Sequence, residues 1–412
     1  MASRVVVYPT TQKTSYAPGS GDSQLSFVLP QGTLVPGTAT FNAKLSMATA
    51  AGFLDAYAGA YGCFQTIEVR SSTLGVLDTI RADSLAAVIN AASSRRVPDD
   101  TSFTEAAAFG SATVSGINGG VNLTGGDNPI MRNAELFISL DLSKFVGLFA
   151  TSEPIMIGSG SRLGQVRLTL TLNSDRDALT GVANPATGTY SLSDVTVEYK
   201  RVPPQSKMEK AAIDFTNQMK TIEVYSHLRF TLSSGRALAA FQLSRPTRGL
   251  VCTTSPQSIT AGTSLQAQQR PTELESITLQ IRGTERPDYE VVYETTAANV
   301  EALYQELYES GSEAVELFTD VRSMRSAGAG QPGADIAGAP FALRNAKTGS
   351  VVTAQQAAQQ PFAFGMVFDD DPNGSVLGAP GEDVNIVINS AITAATRQRL
   401  DVHLSELLVL SS

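Results

Sequence analysis

Thr66-Ile67-Glu68-Val69-Arg70 is echoed by Thr278-Leu279-Gln280-Ile281-Arg282, 212 residues later. Each copy alternates apolar and polar side chains, the period of a half-buried strand. A turn-prone run follows each, Ser71 to Gly75 and Gly283 to Asp288. A second extended run comes next, Val76–Arg81 and Tyr289–Glu294. Each copy then enters a helical pattern. Leu85, Val88, Ile89 and Ala92 fall at i, i+3, i+4 and i+7, and Val300, Leu303, Tyr304, Leu307 and Tyr308 repeat that spacing. Five alternating residues could recur by chance. Four elements in the same order, half a chain apart, point to duplication of one β-rich domain.

Working outward, the 412 residues are enough for two domains of ordinary size. The chain is 42% hydrophobic and 17% charged, with 34 Gly and 19 Pro, which suits a globular protein with many turns. Its low charged fraction fits a protein that buries surface against neighbours. A net charge of −9 and the lack of a basic arm argue against gripping nucleic-acid phosphates. Cys63 and Cys252, one per expected domain, read as two buried thiols and not as a disulfide framework. Met1 to Tyr8 holds only a three-valine apolar run, too short for a signal-peptide core, and no stretch approaches a membrane span. Synthesis in a reducing cytoplasm is the expectation.

Residues 1–21 read as an extended N-terminal arm or flexible end. Strands are expected at Ser23–Leu29, closed by Pro30, and at Thr38–Met47, where Ala39, Phe41, Ala43, Leu45 and Met47 share a face. Residues 94–133 form a long Gly/Ser/Asn-rich passage. Leu136–Leu142 reads as a strand, Leu142–Phe149 as one or two helical turns, and Gln165–Leu172 and Tyr190–Val202 as strands. Pro203-Pro204 marks the domain boundary. Ser206 and Glu209 have capping-box spacing, and Met208, Ala211, Ala212, Phe215 and Met219 predict a linker helix lying across two domains. The second half offers strands at Thr221–Leu232, Leu238–Leu243, Leu250–Thr254, Ala314–Val321, Pro361–Phe368, Asp383–Asn389 and Leu400–Leu410, with a long loop at Ser326–Thr353. The division is an arm (1–21), a first domain (22–202), a linker helix (203–220) and a second domain (221–412). Many short strands and few helices make both domains all-β sandwiches.

Catalysis has little to stand on. His227 and His403 are the only histidines. Both lie in expected strands, without ligands at metal-binding spacing, so both read as structural. No nucleophile elbow or Walker loop occurs. Gly328-Ala-Gly-Gln-Pro-Gly333 matches G-x-G-x-x-G on paper, but Pro332 and the Gly/Ala-rich continuation make it a loop. Asp369, Asp371, Asn373 and Gly374 fit the start of an EF-hand loop, but position twelve is Pro380 and no helices flank it. A looser calcium site or a solvated acidic turn stays open there. Asn122-Leu-Thr124 and Asn373-Gly-Ser375 are glycosylation sequons expected to be unused. Arg95-Arg96, Lys200-Arg201 and Lys207/Lys210 are expected to be solvated or paired with carboxylates. No catalytic, cofactor-binding or metal-binding residue is assigned.

Two tandem β domains, each with a β-β-α unit and a long mid-domain loop, resemble the double jelly-roll major capsid proteins of tailless phages, virophages, large DNA viruses and the adenovirus hexon. The most specific match is Leu140-Asp-Leu-Ser-Lys-Phe-Val-Gly-Leu-Phe149, followed by Pro154-Ile-Met-Ile-Gly158 and Gln165–Leu172. It resembles that family's strand, short helix, proline-led loop and strong strand late in the first roll. The resemblance implies an all-β double jelly roll with a few short helices. It implies a homotrimeric, pseudo-hexagonal capsomer tiling an icosahedral shell in the virion. Partners would be copies of itself, penton and minor capsid proteins, and in some cases an internal membrane, with no direct hold on nucleic acid. Halves of about 200 residues leave little room for surface towers. The rivals are a phage spike or tail protein and a jelly-roll carbohydrate-binding protein; the absence of Trp weighs against the latter.

Overall fold

The computed structural model describes residues 2–85, 131–257, 276–292, 363–368 and 378–409, apart from short stretches inside these ranges. The first half contains β1 (Ser3–Val7), β2 (Gln24–Val28), β3 (Gly32–Leu34), β4 (Thr40–Met47), β5 (Gly52–Leu54), β6 (Phe64–Ser71), β7 (Gly75–Ile80), β8 (Met131–Arg132), β9 (Glu135–Asp141), β10 (Ile155–Ile157), β11 (Val166–Leu172), β12 (Leu179–Gly181) and β13 (Tyr190–Arg201). After helix α1 (Lys207–Gln218) come β14 (Thr221–Leu232), β15 (Arg236–Gln242), β16 (Thr247–Pro256), β17 (Ser276–Ile281), β18 (Thr284–Val292), β19 (Ala363–Val367), β20 (Asp383–Asn389) and β21 (Gln398–Val409).

In the first half, β1, β13, β4 and β9 lie side by side in one sheet, and β2, β11, β6 and β7 in another. In the second half the sheets run β14, β21, β16, β19 and β15, β20, β17, β18. Numbering the eight main strands of each half in chain order gives 1-8-3-6 and 2-7-4-5 both times. Two four-stranded sheets joined by crossing connections in this order are a jelly roll. The quoted repeat is the fourth strand of each roll, β6 and β17. The chain divides into two compact units, with the boundary in sequence between Ser226 and His227.

Period-two patterning builds both cores. On β4, Phe41, Ala43 and Leu45 are buried, and on β11 Val166, Leu168, Leu170 and Leu172. Phe41 sits edge-on to Phe27 and Phe64, with centroids 6.3 and 5.0 Å away. In the second roll, Leu250 and Cys252 of β16 meet Leu400, Val402 and Leu404 of β21 and Val384, Ile386 and Ile388 of β20. Each fully buried Leu or Ile contributes about 2 kcal/mol relative to exposure.

Four expectations change. Within the stretch read as an extended arm or flexible end, Ser3–Val7 pairs antiparallel with Val197–Arg201 as the first strand of its roll. The region read as a proline-led loop holds β10, which pairs with β3 through Ile155↔Leu34 and Ile157↔Gly32. β18 begins at Thr284, inside the expected turn; its ladder breaks between Arg286 and Val291, across Pro287, which has no N–H to give. Helix α1 has half of its capping box: Glu209 N–H donates to Ser206 Oγ at 3.0 Å, but the Glu209 carboxylate accepts from Gln205 N–H, one residue before the cap, and Ser206 N–H donates to Pro203 O. Its stripe differs, because Met208 is 60% exposed while Ala212 and Thr216 are buried. Thr216 Oγ1 accepts from Met156 N–H at 2.9 Å and donates to Ala212 O at 2.7 Å, so a hydroxyl seats the helix on β10. The second helix (300–308), the loop 326–353, the strand expected at Ala314–Val321 and the passage 94–133 up to residue 130 lie outside the described residues; Met131–Arg132, at the end of that passage, is β8.

Candidate functional site

Both histidines lie on one polar cluster of the second unit. Strands β14 and β21 are neighbours in their sheet. On β14, His227 and Arg229 are two apart and share a face; on β21, Asp401 and His403 do the same. His227 Nε2 lies 2.8 Å from Asp401 Oδ1. Arg229 donates through Nε to Oδ1 at 2.7 Å and through Nη2 to Oδ2 at 2.9 Å, a two-point grip on the carboxylate. The His227 and His403 rings pack at 5.2 Å between centroids. Asp401 and His403 are fully buried, His227 nearly so, and Arg229 partly open to water.

Burial by itself would raise the Asp401 pKa. The hydrogen bonds from His227 and Arg229, with their charge, more than reverse this and hold the carboxyl far below the usual carboxylate range. A carboxylate so tightly satisfied is a poor proton acceptor at neutral pH. Among the described residues, no group of three or more His, Cys, Asp or Glu is arranged to hold a metal ion. The cluster is an ion pair whose carboxylate is buried and whose guanidinium reaches water, with the two histidine rings packed beside it. Reading along the chain misses it, because its members are 174 residues apart; two i, i+2 pairs on the first and eighth strands of a roll were the available signal.

The first unit has a comparable network at the end of β7. Arg81 and Asp83, both buried, form an ion pair at 3.0 Å, and Asn173 donates to Asp83 Oδ2 at 2.9 Å and to Gly62 O at 3.1 Å. Asp78 on β7 accepts from Tyr225 N–H at 2.8 Å and Gly147 N–H at 3.3 Å. Cys63 and Cys252 are both buried and neither forms a disulfide, and burial pushes the Cys252 thiol up. Lys200 is exposed on β13; Lys207 and Lys210 are exposed on α1. Arg95-Arg96, the Asp369–Gly374 loop and both sequons lie outside the described residues. No helix among the described residues is long and apolar enough to cross a membrane.

On β16 and β21 of the second roll the residues turned away from the core are buried, Val251, Thr253, Asp401, His403 and Ser405 being at most 1% exposed, while Arg229 and Thr231 of β14 on the same face are exposed. On the matching face of the first roll, Val6 is 40% and Phe137 43% exposed.

No family model and no curated protein matches the sequence. Solved structures do. The chain is similar over its whole length to the Faustovirus major capsid protein, covering 90% of that chain at a TM-score of 0.53 and 11% identity. It is similar over 98% of its length to a chain of the Sputnik virophage, covering 85% of that chain at a TM-score of 0.50 and 11% identity. At such identity the likeness is one of fold: an all-β double jelly roll spanning both halves.

Proposed function

We propose that this chain is the major capsid protein of a virus, a structural subunit whose trimers form the outer shell of the virion. The observation that carries this reading is the repeated 1-8-3-6 and 2-7-4-5 strand order, two like rolls in one chain. The whole-chain similarity in fold to the Faustovirus major capsid protein supports it. Three chains present six rolls of nearly equal shape, what near-hexagonal tiling requires, and a heterologous ring closes when the rotation per subunit is right. The role is structural, without turnover. The partners are other copies of the chain, with penton and minor capsid proteins and an inner membrane as further candidates.

Sedimentation tests the reading. Three copies of a 43.4 kDa chain give a particle of about 130 kDa. Electron microscopy of the expressed protein is expected to show hexagonal particles or shells. A stable monomer at micromolar concentration, or elongated spikes, would count against it.

A further inference from the structure

We infer that β15 is a docking edge for β15 of a second copy of this chain, the two strands running antiparallel about a twofold axis at Ala239 so that their two sheets become one. A twofold contact lies outside the threefold ring of the capsomer reading and does not rest on it. β15 is the edge strand of the sheet β15, β20, β17, β18, paired on one side alone. Its register with β20 runs from Arg236↔Asn389 to Gln242↔Asp383 without a shift. The ladder continues past both ends: Ser390 N–H donates to Gly235 O at 2.7 Å and Leu243 N–H to Glu382 O at 2.9 Å. Bonded pairs alternate with non-bonded ones in an antiparallel ladder. The odd-numbered residues from 235 to 243 are therefore the ones bonded to β20. Arg236, Leu238, Ala240 and Gln242 turn their N–H and C=O groups to the open side. Ser234 Oγ donates to Arg236 O at 2.7 Å. No hydrogen bond among the described residues reaches the backbone of Leu238 or Ala240 on that side.

The first roll shows why this edge is open. The strand there that answers to β15 is β2. The chain between β1 and β2, residues 8–23, brings Thr10 to it, and Thr10 N–H donates to Ser26 O at 2.7 Å. In the second roll the connection is only Ser233-Ser234-Gly235, too short to cover the strand it leads into. Proline, bulges and charge are the usual guards against strand addition. Arg236-Ala-Leu-Ala-Ala-Phe-Gln242 has no proline and no bulge, its charge stands at the first residue, and Leu238 is 63% exposed. The strand also matches itself. Turned about Ala239, Leu238 of one copy faces Ala240 of the other and Arg236 faces Gln242. Each facing pair thus joins residues whose backbone groups already point outward, and no like charges meet. The four side chains involved share the exposed face. Gln242 donates to Asp383 at 3.0 Å. The incoming Arg236 then lies two strand spacings, about 10 Å between backbones, from that carboxylate, an opposite charge within the joint reach of two side chains.

The test is sedimentation of the full-length protein over a concentration series, with melting curves as the check on folding. An edge of seven residues is small beside a standard interface of about 1,600 Å², so the pairing is expected to be reversible. As concentration rises, wild type is expected to add a species of twice the mass of its basal particle. Ala240→Pro removes an outward N–H without touching the bonds to β20. By symmetry the pairing loses two bonds, so the variant is expected to double at least about tenfold more weakly with its melting temperature kept. Should the proline variant fail to fold, Leu238→Lys is read in the same way. A folded variant that doubles like wild type overturns the inference. So does a wild type that never doubles, the outcome expected if this edge serves an extended peptide of another protein. The basal mass answers the separate question: a monomer that doubles keeps this inference and sinks the capsomer reading, and a trimer that never doubles does the reverse.

Discussion

Asp401 has two oxygens and accepts hydrogen bonds from Nε and Nη2 of Arg229, with His227 Nε2 in the same distance range. Asp401→Ala removes the buried acceptor of the Arg229 grip, and is expected to cost about 3 kcal/mol, the lower end for breaking a buried pair because Arg229 reaches water. The pH dependence follows from the lowered pKa. A carboxyl depressed on folding stabilises the native state above its unfolded pKa, about 4, and that contribution is lost as pH falls below it toward the folded value. Urea unfolding between pH 7 and pH 3 is therefore expected to show wild-type stability falling below about pH 4, with a smaller fall in Asp401→Asn. Equal slopes would remove the ion pair from the account of acid stability. A thiol titration of the native protein is expected to find Cys252 unreactive, since burial disfavours its thiolate. The strand positions of both histidines were readable from alternation. Their meeting was not, because pairing between β14 and β21 is a property of topology and leaves no local trace.

Elements with strict alternation were the readable ones. β4, β11 and β20 each bury every second side chain, and their bounds fall within two residues of the sequence reading. β1 and β10 were missed because each is a short strand whose pairing, with β13 or β3, lies far away in sequence. The buried face of α1 was misread because a methionine looks like core and Thr216 does not, yet the hydroxyl has two partners to satisfy. At the amino end of α1, Ser206→Ala is expected to lose about 1 kcal/mol, measurable by urea midpoint. The short turn Gly147–Phe149 is a tighter constraint. A Cβ at Gly147 would stand 2.3 Å from the backbone oxygen of Glu223, with Asp78 close on the other side. Gly147→Ala is expected to destabilise by about 2 kcal/mol or more, because backbone has to shift to admit the methyl. A midpoint unchanged from wild type would mean that this approach is looser than described.

At the scale of the whole molecule, the recurrence of one strand order in both halves was legible from five residues and their neighbours, while the pairing of first with last strand was not, since it leaves no local trace. If β1 were an arm, deleting residues 2–8 would leave stability unchanged. As the first strand of its roll, its loss exposes the side of β13 that pairs with Ser3–Val7, and the expected result is a lower melting temperature and more light scattering. The same pairing sets a clock on synthesis. Ser3 meets Arg201, so the sheet cannot close until nearly 200 residues have emerged, on the order of ten to forty seconds at about 5–20 residues per second. Throughout that interval a nascent chain holds its first strand without its last, the condition in which non-local β pairing is slow and strand edges stick. The second roll repeats the wait, β14 for β21. Soluble yield is thus expected to track the temperature of translation and the supply of chaperones more closely than the stability of the finished protein.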